Sequence, residues 1–302
     1  MTKTTTSLIG IILTILAGIL LYMKLCSSCG VPVAEEPVEE KAVVPVTPDP
    51  TSYPFAFSDG EYACDVNDNY NFNVSSSSIL MPLAQGVTDC IGSLKTFLAD
   101  NAGKVINITG YFKSDENNDS AFPNLGLARA NAVKNHLVEN GISSASINTF
   151  GKLMDEMIPK GNMFLGPVTY GLAGESADAA DELKALYDKI KADPLVLYFN
   201  TAEASINLDA EQRQKVADIS RYLDKVEGAK ALVVGHTDNT GKASSNMRLG
   251  QERADFAKDY LMKNGISAVK IDATSKGQTQ PIESNATDEG KAKNRRTVVT
   301  LN

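Results

Sequence analysis

The chain has 302 residues, 43% of them hydrophobic and 22% charged, which gives enough apolar material for a sizeable core and enough length for two folded units beyond any anchor. A formal charge of -8 and a pI near 5.0 exclude a nucleic-acid partner, because phosphate binding runs on Lys and Arg displacing counterions. His136 and His236 are the only histidines, and the four cysteines stand at no zinc-finger spacing to them, so neither a metal nor a cofactor is expected.

From Ser7 to Met23 the sequence SLIGIILTILAGILLYM runs without a charge between Lys3 and Lys24. At 1.5 Å per helical residue it covers roughly 25 Å, the short end of a bilayer span, which Lys24 extends by snorkelling. No A-x-A-like site follows it. Residues 1–30 therefore read as an uncleaved signal anchor holding residues 7–23 in a lipid bilayer, rather than as a removed signal peptide, with export implied either way. Cys26 and Cys29, in CSSCG, lie where a bacterial lipoprotein carries its lipid. Lys24 interrupts the approach to Cys26, however, and Cys26, Ser27 and Ser28 are poor replacements for the Leu and small residues that normally precede a lipidated cysteine. An outer-membrane lipoprotein is the second reading, and redox chemistry ranks below it, since no βαβ pattern surrounds this CxxC. Residues 31–53, up to Pro54, are rich in Pro and Glu and form an extended, semi-rigid spacer.

A repeat organises the rest. LGLARA at 125–130 corresponds to LGQERA at 249–254, and twelve residues after each arginine comes the glycine of NGIS, at Gly141 and Gly265. Upstream, INITG ending at Gly110 corresponds to LVVG ending at Gly235, and NVSSSSILMPL at 73–83 to YFNTAEASINL at 198–208. Each copy reads as strand, helix, strand, helix, short strand and final strand, with YNFNV or LVLYF first and GPVTYGL or RRTVVTLN last. The fold class is α/β, an α+β sandwich, with two tandem βαβαβ-type domains at 54–172 and 194–302. Between them, Leu183, Leu186 and Ile190 line one face of a linker helix within 173–193, which ends before Pro194. In the first copy Cys64 precedes the matching strand and Cys90 lies in the first helix. Export permits a disulfide between them, although spacing does not establish proximity.

In the second copy LVVG runs into HTDNTG, which places Asp238 in a polar loop at a strand's carboxyl end. The following helix starts near Ser244 to Asn246, where a Ser or Asn can cap it, and stops at Gly265. Leu249, Arg253, Phe256 and Tyr260 fall within an arc of about 60° on it, at 100° per residue. An arginine on an apolar stripe needs an anion, because burying an unpaired guanidinium costs several kcal/mol. Two readings stand at this point. Asp238 is the internal partner of Arg253, or both line a cleft in which a zwitterion binds, Arg253 taking its carboxylate and Asp238 its ammonium.

GHTDNTG, NMRLGQERA, YLMKNGIS and SNATDEGKAKNRR closely resemble, in order and over about 109 residues, the signatures of the OmpA C-terminal-like domain family. The resemblance implies non-covalent binding of peptidoglycan through the diaminopimelate of its stem peptide, at the family aspartate and arginine that match Asp238 and Arg253. Thr201, Thr237, Asn246, Leu249, Asn294, Arg295 and Arg296 fall on further family positions and are expected to shape or support the pocket. GHTD is intact, whereas Gly250 replaces the common serine after Leu249. The first copy departs further: Lys113 stands for Asp238, and Asn162, Met163 and Phe164 for Asn294, Arg295 and Arg296. Arg129 is retained, with Asp115 as the candidate acidic stand-in, so this copy reads as a degenerate module.

The implied whole is a non-catalytic protein that anchors a membrane to peptidoglycan, its folded domains in the periplasm of a Gram-negative-type bacterium. The alternative is a scaffold of a larger envelope machine, with the first copy docking an envelope protein partner. An envelope amidase or carboxypeptidase would need a zinc triad or an activated nucleophile, and nothing in the sequence ties one to either histidine. An ion-driven stator subunit, which also joins one membrane helix to an OmpA-like domain, would need a carboxylate within 7–23, and none is present.

Overall fold

The computed structural model describes residues 3–25, 48–60, 62–199 and 207–302. Cys26, Cys29, most of the proline-rich stretch and Thr201 lie outside the described residues. Two compact units, 1–47 and 48–302, divide the chain. In the first, helix α1 (Lys3–Leu25) carries a stretch, Leu8–Leu25, that is long and apolar enough to cross a membrane by length and composition. The hydroxyl of Thr14 donates back to Ile11 O at 2.9 Å, so the one polar side chain within Leu8–Met23 apart from Tyr22 finds a partner inside the helix.

In the second unit the carboxy-terminal half is built on the four-stranded sheet β10-β9-β11-β8: β8 (Leu195–Tyr198), β9 (Ala231–His236), β10 (Ile271–Gly277) and β11 (Arg296–Leu301). β9 and β10 are parallel, joined through helix α6 (Ala243–Lys263), and β11 runs antiparallel to both β9 and β8. Alternate residues Ala231, Val233 and Gly235 turn to the core, the period-two pattern of a sheet with one covered face. Helix α5 (Ala210–Lys225) meets that face with Val216, Ile219, Ser220 and Leu223, and starts at a capping box between Asp209 and Gln212. Helix α4 (Ala179–Ala192) adds Ile190, Leu186 and Tyr187 to the same core, so the linker helix packs on this half. A short helix, α7 (Asp288–Asn294), precedes β11, an element absent from the repeat pattern read in the sequence.

The amino-terminal half repeats the strand-helix-strand crossover. β4 (Lys104–Phe112) leads through α3 (Leu125–Glu139) to the parallel strand β5 (Ile147–Leu153), and β7 (Val168–Gly174) returns antiparallel to β4. Its opening differs from the sequence reading. YNFNV does not supply a fourth strand to this sheet; only Phe72–Asn73 forms a strand, β3, and it pairs with β6 (Met163–Phe164). An added hairpin, β1 (Phe55–Asp59) with β2 (Tyr62–Val66), lies by β7 through Phe55 and Tyr170, whose ring centroids are 4.5 Å apart. The Asn69 amide donates to Val168 O at 2.8 Å, so a side chain meets β7 where a strand was expected. Cys64 of the hairpin is disulfide-bonded to Cys90 of helix α2 (Gln85–Asp100), with Cα atoms 6.0 Å apart.

The halves meet through α3 and the ends of α5 and α6. Lys134 and Asp224 form an ion pair in which the lysine is 2% exposed, and Ala121 N–H donates to Asn264 Oδ1 at 2.8 Å.

Candidate functional site

The conserved geometry of both halves starts from a backbone contact. A Cβ on Gly235 would collide with Gly250 O, and one on Gly110 with Gly126 O, so strand and crossover helix approach as closely as two glycines allow. At Gly250 an added Cβ would also meet Ser275 Oγ. This close approach brings α6 alongside the carboxyl end of β9. Arg253, one turn after Gly250, thereby reaches the last carbonyl of the strand: its Nη1 donates to His236 O at 3.1 Å.

Arg253 is 4% exposed, with its guanidinium carbon 5.6 Å from the Phe199 ring centroid. Its Nε is buried without a hydrogen-bond partner, and among the described residues it forms no ion pair. Burial pulls its pKa down, and the nearby Arg295 adds to that, against a smaller opposing effect of Asp238.

Asp238 takes the other side of the notch. Its Oδ1 accepts the Thr240 N–H at 2.8 Å and its Oδ2 accepts Arg295 Nη1 at 3.0 Å. Burial raises the carboxyl, but the Thr240 N–H and the Arg295 guanidinium outweigh it and hold Asp238 below the usual carboxylate range. The internal partner of Asp238 is thus Arg295. That corrects the first of the two sequence readings, in which Asp238 pairs with Arg253, and leaves Arg253 with two neighbouring charges but no carboxylate of its own.

The supporting positions divide by what they hold. Thr237 is pinned by its N–H to Gly277 O at 2.9 Å and donates its hydroxyl to Asp238 O at 2.9 Å. Asn246 caps nothing: α6 begins at Ala243 with no side-chain cap, and the Asn246 amide turns inward to Asp238 O at 3.2 Å and Gln278 Oε1 at 2.5 Å. Leu249 is half-buried. Asn294 is fully buried and accepts the N–H groups of Ile282 and Glu283 at 2.8 and 3.1 Å, fixing the loop before α7. Arg296 lies in the register next to the Thr297–Gly235 pair, beside His236, and donates to Gln280 O at 3.3 Å. Burial, followed by the charges of Arg296 and Lys276, lowers His236 to about 4. Phe199 and Gln278 were missed from sequence; the aromatic in LVLYF was a usable signal for the first, and nothing marked the second.

Residues 198–295 match the family model described as OmpA family. The carboxy-terminal part of the chain is an OmpA-family domain. Over 121 residues the chain is 34% identical to the peptidoglycan-binding protein ArfA of Mycobacterium tuberculosis, covering 40% of this chain and 36% of that protein. Over 98 residues it is 47% identical to the probable lipoprotein YiaD of Escherichia coli, covering 32% of this chain and 45% of that one. It thus spans less than half the length of these curated relatives. Among solved structures, the peptidoglycan-associated lipoprotein of Burkholderia pseudomallei aligns with a TM-score of 0.32 at 24% identity, over 35% of this chain and 89% of that one. A separate cleft of about 460 Å³, lined by Phe122, Leu127, Ile147, Leu183 and Asp224 among others, includes none of the OmpA-domain site residues.

Proposed function

We propose that the OmpA-family domain binds peptidoglycan without catalysis, gripping the free amino-acid end of a diaminopimelate residue between Arg253 and Asp238. The observation that carries this reading is the 4% exposed Arg253 guanidinium, which has an unpartnered Nε and no ion pair among the described residues, beside a carboxylate already oriented by Arg295. Such a cation lacks one component, an anion of carboxylate size. The ligand's ammonium then faces Asp238, whose low pKa keeps it charged throughout the neutral range. The name of ArfA, 34% identical over 121 residues, supports peptidoglycan as the polymer. His236 is 4% exposed and held neutral, which suits a wall residue better than a proton-transfer group.

In this proposal α1 holds the protein in a membrane as a signal anchor, and residues 54–172 and 194–302 are two domains, packed on one another, in the periplasm. The experiment is sedimentation of the full chain in detergent with two kinds of wall. Diaminopimelate-type peptidoglycan should carry it down. Lysine-type peptidoglycan, whose side chain ends in an ammonium without the carboxylate, should not. Retention of Arg253→Ala or Asp238→Ala at the wild-type level would remove the assigned site.

A further inference from the structure

The arginine of the first copy, Arg129, is fully buried, and all five of its N–H groups are used. Nε donates to Ser76 O at 3.0 Å; Nη1 donates to Tyr111 O at 2.9 Å and Glu116 Oε2 at 3.0 Å; Nη2 donates to Asn73 O at 3.3 Å and Glu116 Oε1 at 2.5 Å. The Glu116 carboxylate, 1% exposed, meets the guanidinium fork to fork and also accepts the main-chain N–H groups of Ser75 at 2.8 Å and Lys113 at 2.9 Å. Four donors therefore converge on one carboxylate, and Phe72 and Phe164 cover the guanidinium at 5.7 and 5.3 Å.

The equivalence with the carboxy-terminal site is set by the repeat. Tyr111 O receives Nη1 of Arg129 as His236 O receives Nη1 of Arg253, next to the same glycine-to-glycine contact of strand and helix. Three of the four donors to Glu116 come from α3 and the 73–76 segment, and the fourth, the Lys113 N–H, comes from the loop after β4 that also carries the carboxylate. We propose that the first copy is a carboxylate-binding site filled from within, with Glu116 standing as the ligand. The sequence reading assigned that place to Asp115, which forms no ion pair with Arg129; Glu116, one residue on, reaches it. A tethered carboxylate competes intramolecularly, so this copy is closed to the wall polymer while the loop is docked. This holds whatever the carboxy-terminal site binds.

The test removes the internal carboxylate and supplies an external one. In Glu116→Ala the lost atoms are those of acetate, and the space left behind keeps its donors. Thermal unfolding of the full chain in detergent is followed in sodium acetate, sodium trimethylacetate and sodium chloride at matched ionic strength. Acetate should raise the midpoint of Glu116→Ala by about 3 to 6 °C per tenfold rise in concentration above saturation, and leave wild type and Glu116→Ala/Arg129→Met unmoved. Indifference to acetate overturns the proposal, as does an equal response to chloride or to the bulkier trimethylacetate. If Glu116→Ala does not fold in chloride, refolding in acetate decides: recovery supports an internal ligand and failure overturns it.

Discussion

Arg129 and Arg253 occupy the same place in two copies of one design and live in opposite states. The first is fully buried and has Glu116 across its fork; the second is nearly as buried but has a strand carbonyl, an aromatic ring and no carboxylate among the described residues. The difference arises in the loop after the strand. In the first copy that loop delivers Glu116 to the arginine, whereas in the second it delivers Asp238, which Arg295 captures from β11's threshold. The registers correct the sequence alignment of Met163 with Arg295: Val168 pairs with Gly110 as Thr297 pairs with Gly235, so Gly166 stands where Arg295 stands in the second copy, and a captured aspartate has no counterpart there. A buried guanidinium is tolerable with its anion and costly without it, and that cost is the property a binding site can turn into affinity.

The largest effects should come from exchanging the two arginines for alanine. Arg129→Ala strands a buried Glu116 and should destabilise the fold by about 3–5 kcal/mol in urea titration while leaving wall sedimentation of the surviving folded protein intact. Arg253→Ala should do the reverse, weakening sedimentation by about 100-fold or more and costing less stability than Arg129→Ala, since it leaves a neutral carbonyl, His236 O, rather than a buried charge without its partner. Matching signatures for both variants would end the contrast between a closed copy and an open one.

The halves also differ in pH response. His236 occupies the position of Tyr111 in the repeat, and its folded pKa is lowered from 6.5 to about 4. The unfolded histidine takes up its proton near pH 6.5 and the folded one only near 4, so the folded state is unaffected above that window and loses stability as pH falls through it. The loss should approach about 3 kcal/mol at pH 4. Asp238, lowered below the usual carboxylate value, pulls in the same direction at still lower pH. Chemical denaturation from pH 7 to pH 4 should show the slope, and His236→Gln should flatten it. A variant with the wild-type slope would place the acid sensitivity elsewhere.

Much of this was readable from local pattern. The two crossovers, the paired glycines and the two arginines follow from periodicity and repeat spacing, because helix faces and strand alternation are set by neighbours within a few residues. What escaped was set over long distances. Arg295 reaches Asp238 across 57 residues. Whether Asp115 or Glu116 meets Arg129 depends on a loop path that spacing does not fix. Asn246, a plausible cap by residue type, turns inward because Asp238 O and Gln278 lie within reach. The place of YNFNV changed because a hairpin tied by Cys64–Cys90 lies by β7.

A feature the copies share should fail alike. Gly110→Ala and Gly235→Ala each push a methyl into the carbonyl of the facing helical glycine. Each should cost about 2 kcal/mol, the usual range for overpacking. Only Gly235→Ala should also weaken wall binding, since displacing α6 moves Arg253 off His236 O. Equal binding by both would separate the strand-helix contact from the site.

The smallest effect is the most discriminating. The Arg295–Asp238 pair is partly exposed, at 20% and 12% of its side chains, so Arg295→Met should change stability by less than about 1 kcal/mol. If Arg295 orients Asp238 for an incoming ammonium, the variant should bind the wall about 5- to 10-fold more weakly, roughly 1 kcal/mol, well short of the loss in Asp238→Ala. The Asp238 carboxyl should titrate upward in the same variant, because a hydrogen bond and a positive charge that lower it are gone. Tighter binding would mean that Arg295 competes with the ligand for Asp238, and the carboxy-terminal copy would then be partly self-filled as well, differing from the first in degree and in which charge is held.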